Sequence, residues 1–188
     1  MPSLREALGA LYGSWRLMRF DAGGVGWFEV SIPAFWRSFW VALPLAPAYA
    51  VMVALDLARR PDPIDPGWAL LVFTLAYIAG WAAFPIAVAP ITKLLRLTRG
   101  YVPLIIVANW SAIPQMAVLL PVMLLDASGI LPEAVAGGLM LVANVYLLAY
   151  FWFIARVTLD TSGWTAVGIV VLNEVLGAFV HISASSLL

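Results

Sequence analysis

The chain has 188 residues, of which 64% are hydrophobic and 11% are charged, whereas soluble domains average about 45–50% apolar and about 25% charged residues. This composition excludes an ordinary soluble fold, which could not bury so much apolar surface. The ten basic and ten acidic residues cancel, so we expect no nucleic-acid partner. Cysteine is absent and there is one histidine, so we also expect no disulfide, no metal site and no other cofactor.

Residues 1–34 are predicted to form a cytoplasmic amphipathic or interfacial region. Apolar residues recur there at spacings of three and four, which is typical of an amphipathic helix. The residues of this apolar stripe are Leu4, Leu8, Leu11, Trp15 and Met18. Two compatible interpretations stay open: the helix lies flat on the inner leaflet, or the stripe packs under the bundle. The region lacks the uninterrupted apolar core of a signal peptide, so we expect no cleavage there.

Glycine and aromatic residues then connect this region to the first span. Gly23 and Gly24 predict a break in the helix. Trp and Phe side chains cluster in residues 27–40, which is typical of anchors at a membrane interface.

Residues 35–188 contain five apolar stretches, each of about the length that crosses the hydrocarbon core as a helix. The predicted spans are at about 36–58, 67–92, 101–125, 132–155 and 164–187. The predicted fold is therefore all-α, a polytopic transmembrane bundle of five helices with an N-terminal amphipathic interfacial helix. Little chain is left over for a soluble catalytic domain.

The basic residues predict the orientation. Eight of the ten Lys and Arg residues fall in segments that are cytoplasmic if the N-terminus is inside, and only Arg59 and Arg60 fall outside. Positive loops stay cytoplasmic. We therefore expect a multi-pass protein with a cytoplasmic N-terminus and a C-terminus on the opposite side. The alanine- and tryptophan-rich composition and the short loops indicate a bacterial inner membrane, in which that side is the periplasm.

Polar residues within the spans form the candidate intramembrane site, because each needs a partner where water is absent. The candidates are Glu174, Asn173, Asn144, Asn109 and His181; Ser111 and Gln115 are further polar residues of the third span.

The depths of these residues lead to a specific pairing prediction. At 1.5 Å per residue, Asn109, Asn144 and Glu174 should lie at similar depths near the midplane. We predict that they face one another, with Asn144 or Asn109 hydrogen-bonded to the Glu174 carboxyl group. His181 follows Glu174 by seven residues on the same helical face, which could make a short polar path. The group could fix helix packing, form part of an ion, proton or small-molecule path, or contact a partner.

Other sequence features bear on assembly and catalysis. Ala76 with Gly80, Ala134 with Gly138, and Gly168 permit close helix contact, which favours a compact bundle or a homo-oligomer. Known catalytic motifs are missing, and GGVG at residues 23–26 does not match a phosphate-binding loop. We therefore do not expect an enzyme.

The five spans, the amphipathic and aromatic N-terminal region, the short basic second loop and the outer C-terminus resemble the Yip-domain family of small five-span membrane proteins. TRGYVPLIIVANWSAIPQ at the start of the third span is similar to that family's pattern of a tyrosine followed by a polar, proline-containing interior. FWRSFW at the first span resembles an entry motif of uncharacterised bacterial membrane proteins of this type. The resemblance covers about residues 30–188.

In the eukaryotic branch, the resemblance would imply vesicle trafficking and small-GTPase partners. The acidic DLYGP-like segment of that branch is absent, and only Leu11, Tyr12 and Gly13 give a fragment of it. For a bacterial branch, the resemblance implies only an envelope protein.

Two functional hypotheses follow. The first is a non-enzymatic interaction, assembly or membrane-organising role, with the lipid bilayer and another membrane protein or a second copy as partners. The alternative is a small transporter or channel component that uses a midplane polar site around Glu174.

Overall fold

The computed structural model describes residues 1–60 and 64–188. Within these residues the chain forms seven α-helices and no strand, which confirms the predicted all-α fold. The helices are α1 (Leu4–Met18), α2 (Ile32–Ser38), α3 (Ala42–Ala58), α4 (Pro66–Leu94), α5 (Thr98–Ala127), α6 (Glu133–Leu159) and α7 (Gly163–Ser186). Two short 3₁₀ segments, Ala22–Trp27 and Phe39–Val41, join α1 to α2 and α2 to α3.

Five helical stretches of the described chain are long and apolar enough to cross a membrane, so the fold is that of a multi-pass membrane protein. The first runs from Ile32 to Ala58, through α2 and α3, and the other four are α4 to α7. The first span begins about four residues earlier than predicted. Its start is fixed by Ser31, whose side-chain oxygen accepts the Ala34 backbone N–H, and by Pro33, which suits a first helical turn.

Helices α4 to α7 form a ring, because α4 contacts α5 and α7, and α6 contacts the same two helices. Tight turns join α4 to α5 and α6 to α7, with Arg96 and Asp160 in left-handed conformations. The end of the bundle with these turns carries Lys93, Arg96, Arg99 and Arg156, and we call it the basic end. The C-terminus of α7 lies at the opposite end, the C-terminal end.

The tightest helix contact in the bundle joins α5 to α6 at the basic end. A Cβ atom added to Gly100 would lie 2.7 Å from both Leu159 Cα and the Thr158 carbonyl oxygen. The backbones can approach this closely only because residue 100 has no side chain. In contrast, a Cβ at Gly80, Gly138 or Gly168 would meet nothing within 4 Å. Within the described chain, these three glycines therefore face open space and do not form the close helix contacts that the sequence predicted.

Helix α1 packs on α5 and α6 with a face of small residues. The buried positions are Ala10, Gly13, Ser14 and Leu17. The predicted apolar stripe largely faces outward, with Leu4 77% and Leu8 59% exposed. The interpretation that this stripe packs under the bundle is therefore wrong for Leu4 and Leu8, although Met18 is partly buried against the core. The contact of the stripe with a leaflet stays a prediction.

The 3₁₀ segment Ala22–Trp27 closes tightly on α1. A Cβ at Gly13 would lie 2.7 Å from the Gly24 carbonyl oxygen, and one at Gly24 would lie 2.6 Å from the Gly13 carbonyl oxygen. An ion pair of 2.6 Å between Arg16 and Asp21 fixes the turn. Two hydrogen bonds lower the pKa of Asp21 below its usual range: the larger effect comes from the Arg16 side chain and the smaller from the Gly23 backbone N–H.

Ion pairs also join the N-terminal region to the first span. Arg37 of α2 lies 2.9 Å from both Glu6 of α1 and Glu29. Hydrogen bonds from Ser31 and then from Arg37 lower the pKa of Glu29. Residues 1–34 thus share ion pairs and a packed core with the helical bundle that follows them.

Candidate functional site

A polar cavity of about 350 Å³ lies among α3, α4, α5, α6 and α7. Its polar lining comes from Tyr49, Tyr77, Asn109, Gln115, Asn173 and His181. From Phe73 to Pro85 on α4, the lining extends over about 18 Å at 1.5 Å per residue. We call this space the polar cavity.

Aromatic residues close the polar cavity toward the basic end. Phe84 of α4 and Phe151 of α6 are buried, and their rings meet edge to face with centroids 5.5 Å apart. Beyond them, Val88, Ile105 and Ile154 are fully buried. The polar cavity therefore extends from this apolar layer toward the C-terminal end of the bundle.

Three of the five predicted site residues line the polar cavity. Asn109 is buried, and its Nδ2 donates to Ser38 Oγ at 2.9 Å. Asn173 Nδ2 donates to Glu174 Oε1 at 3.3 Å. His181 lines the cavity from the same helix as Asn173 and lies nearer the C-terminal end of the bundle. The packing of α5 against its neighbours and the small residue Gly177 on α7 place these groups around one space.

The other two predicted site residues lie outside the lining of the polar cavity. Asn144 is exposed, and its Nδ2 donates to the Met140 carbonyl oxygen of its own helix at 2.8 Å. Glu174 is also exposed, and among the described residues its carboxylate accepts a hydrogen bond only from Asn173. The predicted hydrogen bond from Asn144 or Asn109 to Glu174 is therefore wrong.

The prediction failed because it used only the depth of each residue along its helix and not the side of the helix on which the residue lies. Helix α6 buries Ala136, Ala143 and Tyr150, every seventh residue. Asn144 is about 100° around the helix from Ala143, which turns it away from α5 and α7. The sequence gives depth along a helix, but the facing side depends on how neighbouring helices pack.

Gln115 and two tyrosines were missing from the predicted site. Gln115 follows Asn109 and Ala112 at spacings of three, so all three line the polar cavity from α5. On α7, Asn173, Gly177, His181 and Ala184 line it at spacings of three and four. Such stripes of small and polar residues within apolar spans were the available sequence signal. Tyr49 and Tyr77 gave no comparable signal, because tyrosines in spans are commonly packing residues.

A second buried polar cluster holds α1 in place and lies away from the polar cavity. The Tyr150 hydroxyl donates to the Ser14 carbonyl oxygen at 2.9 Å and lies 2.8 Å from Ser111 Oγ. All three residues are fully buried. The Tyr146 hydroxyl donates to the Met18 carbonyl oxygen at 2.6 Å. These contacts bind the backbone of α1 to α6, which is a packing role.

The chemistry of the polar cavity is that of neutral hydrogen-bonding groups. Its lining, as far as the structure describes it, contains amides, phenols and one imidazole but no Asp, Glu, Lys or Arg side chain. In residues 1–60 and 64–188, no group of three or more His, Asp or Glu side chains is placed to hold a metal ion. The arrangement suits recognition of a neutral polar group.

Comparisons of the chain with protein-family models, with curated proteins and with solved structures found no match.

The two amides of α5 should respond differently to substitution. Asn109→Leu removes a buried hydrogen bond to Ser38, so we expect the free energy of unfolding to fall by roughly 1 kcal/mol. Gln115 faces the polar cavity and has no hydrogen bond to another described residue, so Gln115→Leu should change that free energy by less than about 0.5 kcal/mol. Unfolding in bicelles by titration with a denaturing detergent measures both values. Equal losses for the two variants would contradict the distinction between an anchoring and a cavity-facing amide.

Proposed function

We propose that this chain is a non-enzymatic integral membrane protein with an interaction, assembly or membrane-organising role, and that its partner is another membrane protein or a second copy. The observation that carries this proposal is the outward position of Glu174. The residue lies near the middle of α7, a span of 24 residues, and is exposed on the surface of the single chain.

An ionisable group in the middle of a span is costly when hydrocarbon surrounds it. Such groups usually face a bundle interior, a water-filled cavity or another polar group. The carboxylate of Glu174 receives one hydrogen bond of 3.3 Å, from Asn173, within the described chain. A helix from a partner that brings a further donor to Glu174 would remove this cost.

The outer half of α6 supports the same proposal. Gly137 and Gly138 are exposed there, and a Cβ on either would meet nothing within 4 Å. Ala134 and Asn144 are also exposed on this helix. Small residues allow a second helix to approach closely, and an asparagine can hydrogen-bond across the contact.

We further propose a bacterial inner membrane as the location, with a cytoplasmic N-terminus and a periplasmic C-terminus. The asymmetry of Lys and Arg supports this orientation, since Lys93, Arg96, Arg99 and Arg156 all lie at the basic end. Membership of a bacterial branch of the Yip-domain family is part of the same proposal, and the order of five spans after an amphipathic helix supports it.

The polar cavity favours a second candidate, a small transporter or channel component. In that case the site consists of Asn109, Asn173 and His181 rather than a group centred on Glu174. A reconstituted flux would then persist in Glu174→Gln and be lost in variants of the lining.

We expect Glu174→Leu to dissociate the assembly. The test is mass spectrometry of the protein purified gently from its native membrane at native expression, with stoichiometric companions and copies scored. The assembled fraction should fall at least tenfold in Glu174→Leu, because the partner's polar group loses its acceptor. It should be unchanged in Phe179→Leu, a control at an exposed apolar position of the same helix about 140° around the axis from Glu174. Wild-type protein that is a bare monomer, or equal assembly in both variants, would overturn the proposal.

A further inference from the structure

An apolar groove of about 410 Å³ runs between α3 and α4. Its α3 side has Ala46, Ala50 and Ala54 at spacings of four, which places three small side chains on one face. The lining on α3 extends from Ala46 to Leu57, about 16 Å along the helix. Both helices belong to candidate spans, so the groove lies at a level where hydrocarbon is the surrounding solvent.

The apolar groove adjoins the polar cavity. Tyr49, Phe73 and Tyr77 line both spaces. The rings of Tyr49 and Tyr77 lie side by side, with centroids 4.7 Å apart, and the Tyr77 hydroxyl donates to the Ala42 carbonyl oxygen. A molecule that occupies both spaces would pass these aromatic residues.

The two spaces differ sharply in chemistry. The groove is lined by alanine, leucine, valine and aromatic side chains, with Thr74 and the tyrosines as its polar members. The cavity offers the amides of Gln115 and Asn173 and the imidazole of His181. Gln115 and His181 have no hydrogen bond to another described residue, so their polar atoms are available to a ligand.

We propose that the polar cavity and the apolar groove together bind one amphiphile, with an uncharged headgroup that carries hydroxyl or amide groups and a single hydrocarbon chain. The headgroup lies in the cavity, within reach of Gln115 and Asn173, and the chain lies in the groove along Ala46, Ala50 and Ala54. This binding is internal to the chain, whereas the assembly that we propose uses Glu174 on the outer surface, and the two sites meet at the hydrogen bond from Asn173 to Glu174.

Charge selects the class of headgroup. A phosphate or carboxylate in the polar cavity would be partly desolvated with no Lys or Arg side chain among the described lining residues to pair with it, which is unfavourable. A neutral headgroup needs only hydrogen bonds, which amides and imidazole supply as both donors and acceptors. A small soluble solute would use the cavity and leave the groove unfilled, whereas an amphiphile uses both.

The experiment uses the full chain in phosphatidylcholine nanodiscs and a monoacylglycerol with a photoreactive diazirine in its acyl chain. After irradiation, adducts are mapped by mass spectrometry, and unlabelled monoacylglycerol, the free fatty acid of the same chain length, or glycerol is added as competitor. We expect adducts on residues 46–57 and 66–77, reduced at least fivefold by monoacylglycerol and unchanged by the fatty acid or by glycerol.

Three variants separate the headgroup from the chain. Ala50→Leu fills the groove at an exposed position and should lower the adduct yield at least fivefold. Gln115→Leu and Asn173→Leu together should weaken competition by monoacylglycerol about tenfold, because the headgroup loses its hydrogen bonds. Val171→Leu, an exposed position away from both spaces, should leave yield and competition unchanged.

Each other outcome overturns the proposal in a specific way. Equal competition by the fatty acid would show lipid contact without headgroup recognition. Competition by glycerol alone would show a soluble solute in the polar cavity. Unchanged competition in the Gln115→Leu and Asn173→Leu double variant would show that the cavity does not bind the headgroup, and adducts spread over all spans would show no site.

Discussion

Tyr150→Ala is expected to release α1 from the bundle and to lower the free energy of unfolding by about 3–5 kcal/mol. Tyr150 is fully buried, and its hydroxyl joins the Ser14 carbonyl oxygen of α1 to Ser111 of α5. The variant loses a large buried ring and leaves a cavity between three helices. It also removes the hydrogen-bond donor to the α1 backbone, so the docked position of α1 loses both packing and polar contacts.

Limited trypsin digestion in detergent measures this release, because α1 and its flanking turn contain Arg5, Arg16 and Arg19. We expect the cleavage rate in this region to rise at least tenfold in Tyr150→Ala. Tyr150→Phe keeps the ring and should lose only about 1 kcal/mol, from the hydrogen bonds. The control is Val145→Ala, at an exposed position of the same helix. If Tyr150→Ala and Val145→Ala are cleaved at the same rate, Tyr150 does not hold α1.

The second large effect is expected at the crossing of α5 and α6. In Gly100→Val, the new Cβ would begin 2.7 Å from two backbone atoms of α6, and neither Leu159 Cα nor the Thr158 carbonyl oxygen can turn away as a flexible side chain could. The helices must separate, which also disturbs the fully buried Leu104 and Ile154. Overpacking of this kind costs about 1–3 kcal/mol even when the neighbours are side chains, so we expect a loss of about 3 kcal/mol.

The matched control for this substitution is Gly168→Val on α7, where a Cβ would meet nothing within 4 Å. The free energy of unfolding of this control should change by less than about 1 kcal/mol. Both values come from unfolding in bicelles by titration with a denaturing detergent. Equal destabilisation of the two variants would mean that valine acts through helix propensity, and that the close approach at Gly100 contributes little.

These variants test three parts of the molecule that have different roles. The cluster around Tyr150 holds the N-terminal helix, the polar cavity presents neutral hydrogen-bonding groups, and Glu174 with Asn144 lies on the outer surface. Variants of Tyr150, Gln115 and Glu174 should each leave the measurements on the other two parts unchanged, whereas Asn173 lines the polar cavity and also donates to Glu174. Assembly, amphiphile binding and N-terminal docking can therefore be tested independently.

The sequence by itself determined the all-α class and the number of candidate spans. Each apolar stretch is bounded by charged or capping residues, and the length needed to cross hydrocarbon is fixed by the rise of a helix. The same regularity predicted the depth of polar residues along each span, and Asn109, Asn173 and His181 lie within the helices α5 and α7 that form candidate spans. The orientation in the membrane and the resemblance to the Yip-domain family stay predictions.

Only the tertiary structure decided which way these residues face. A helix that is apolar on every side gives no periodic signal for its buried face, so the outward positions of Glu174 and Asn144 did not follow from the sequence. For α1, the face of small residues packs against the bundle and the larger apolar stripe remains exposed, because close approach of backbones favours small side chains. The polar cavity likewise exists only once four helices close into a ring and bring α5 opposite α7.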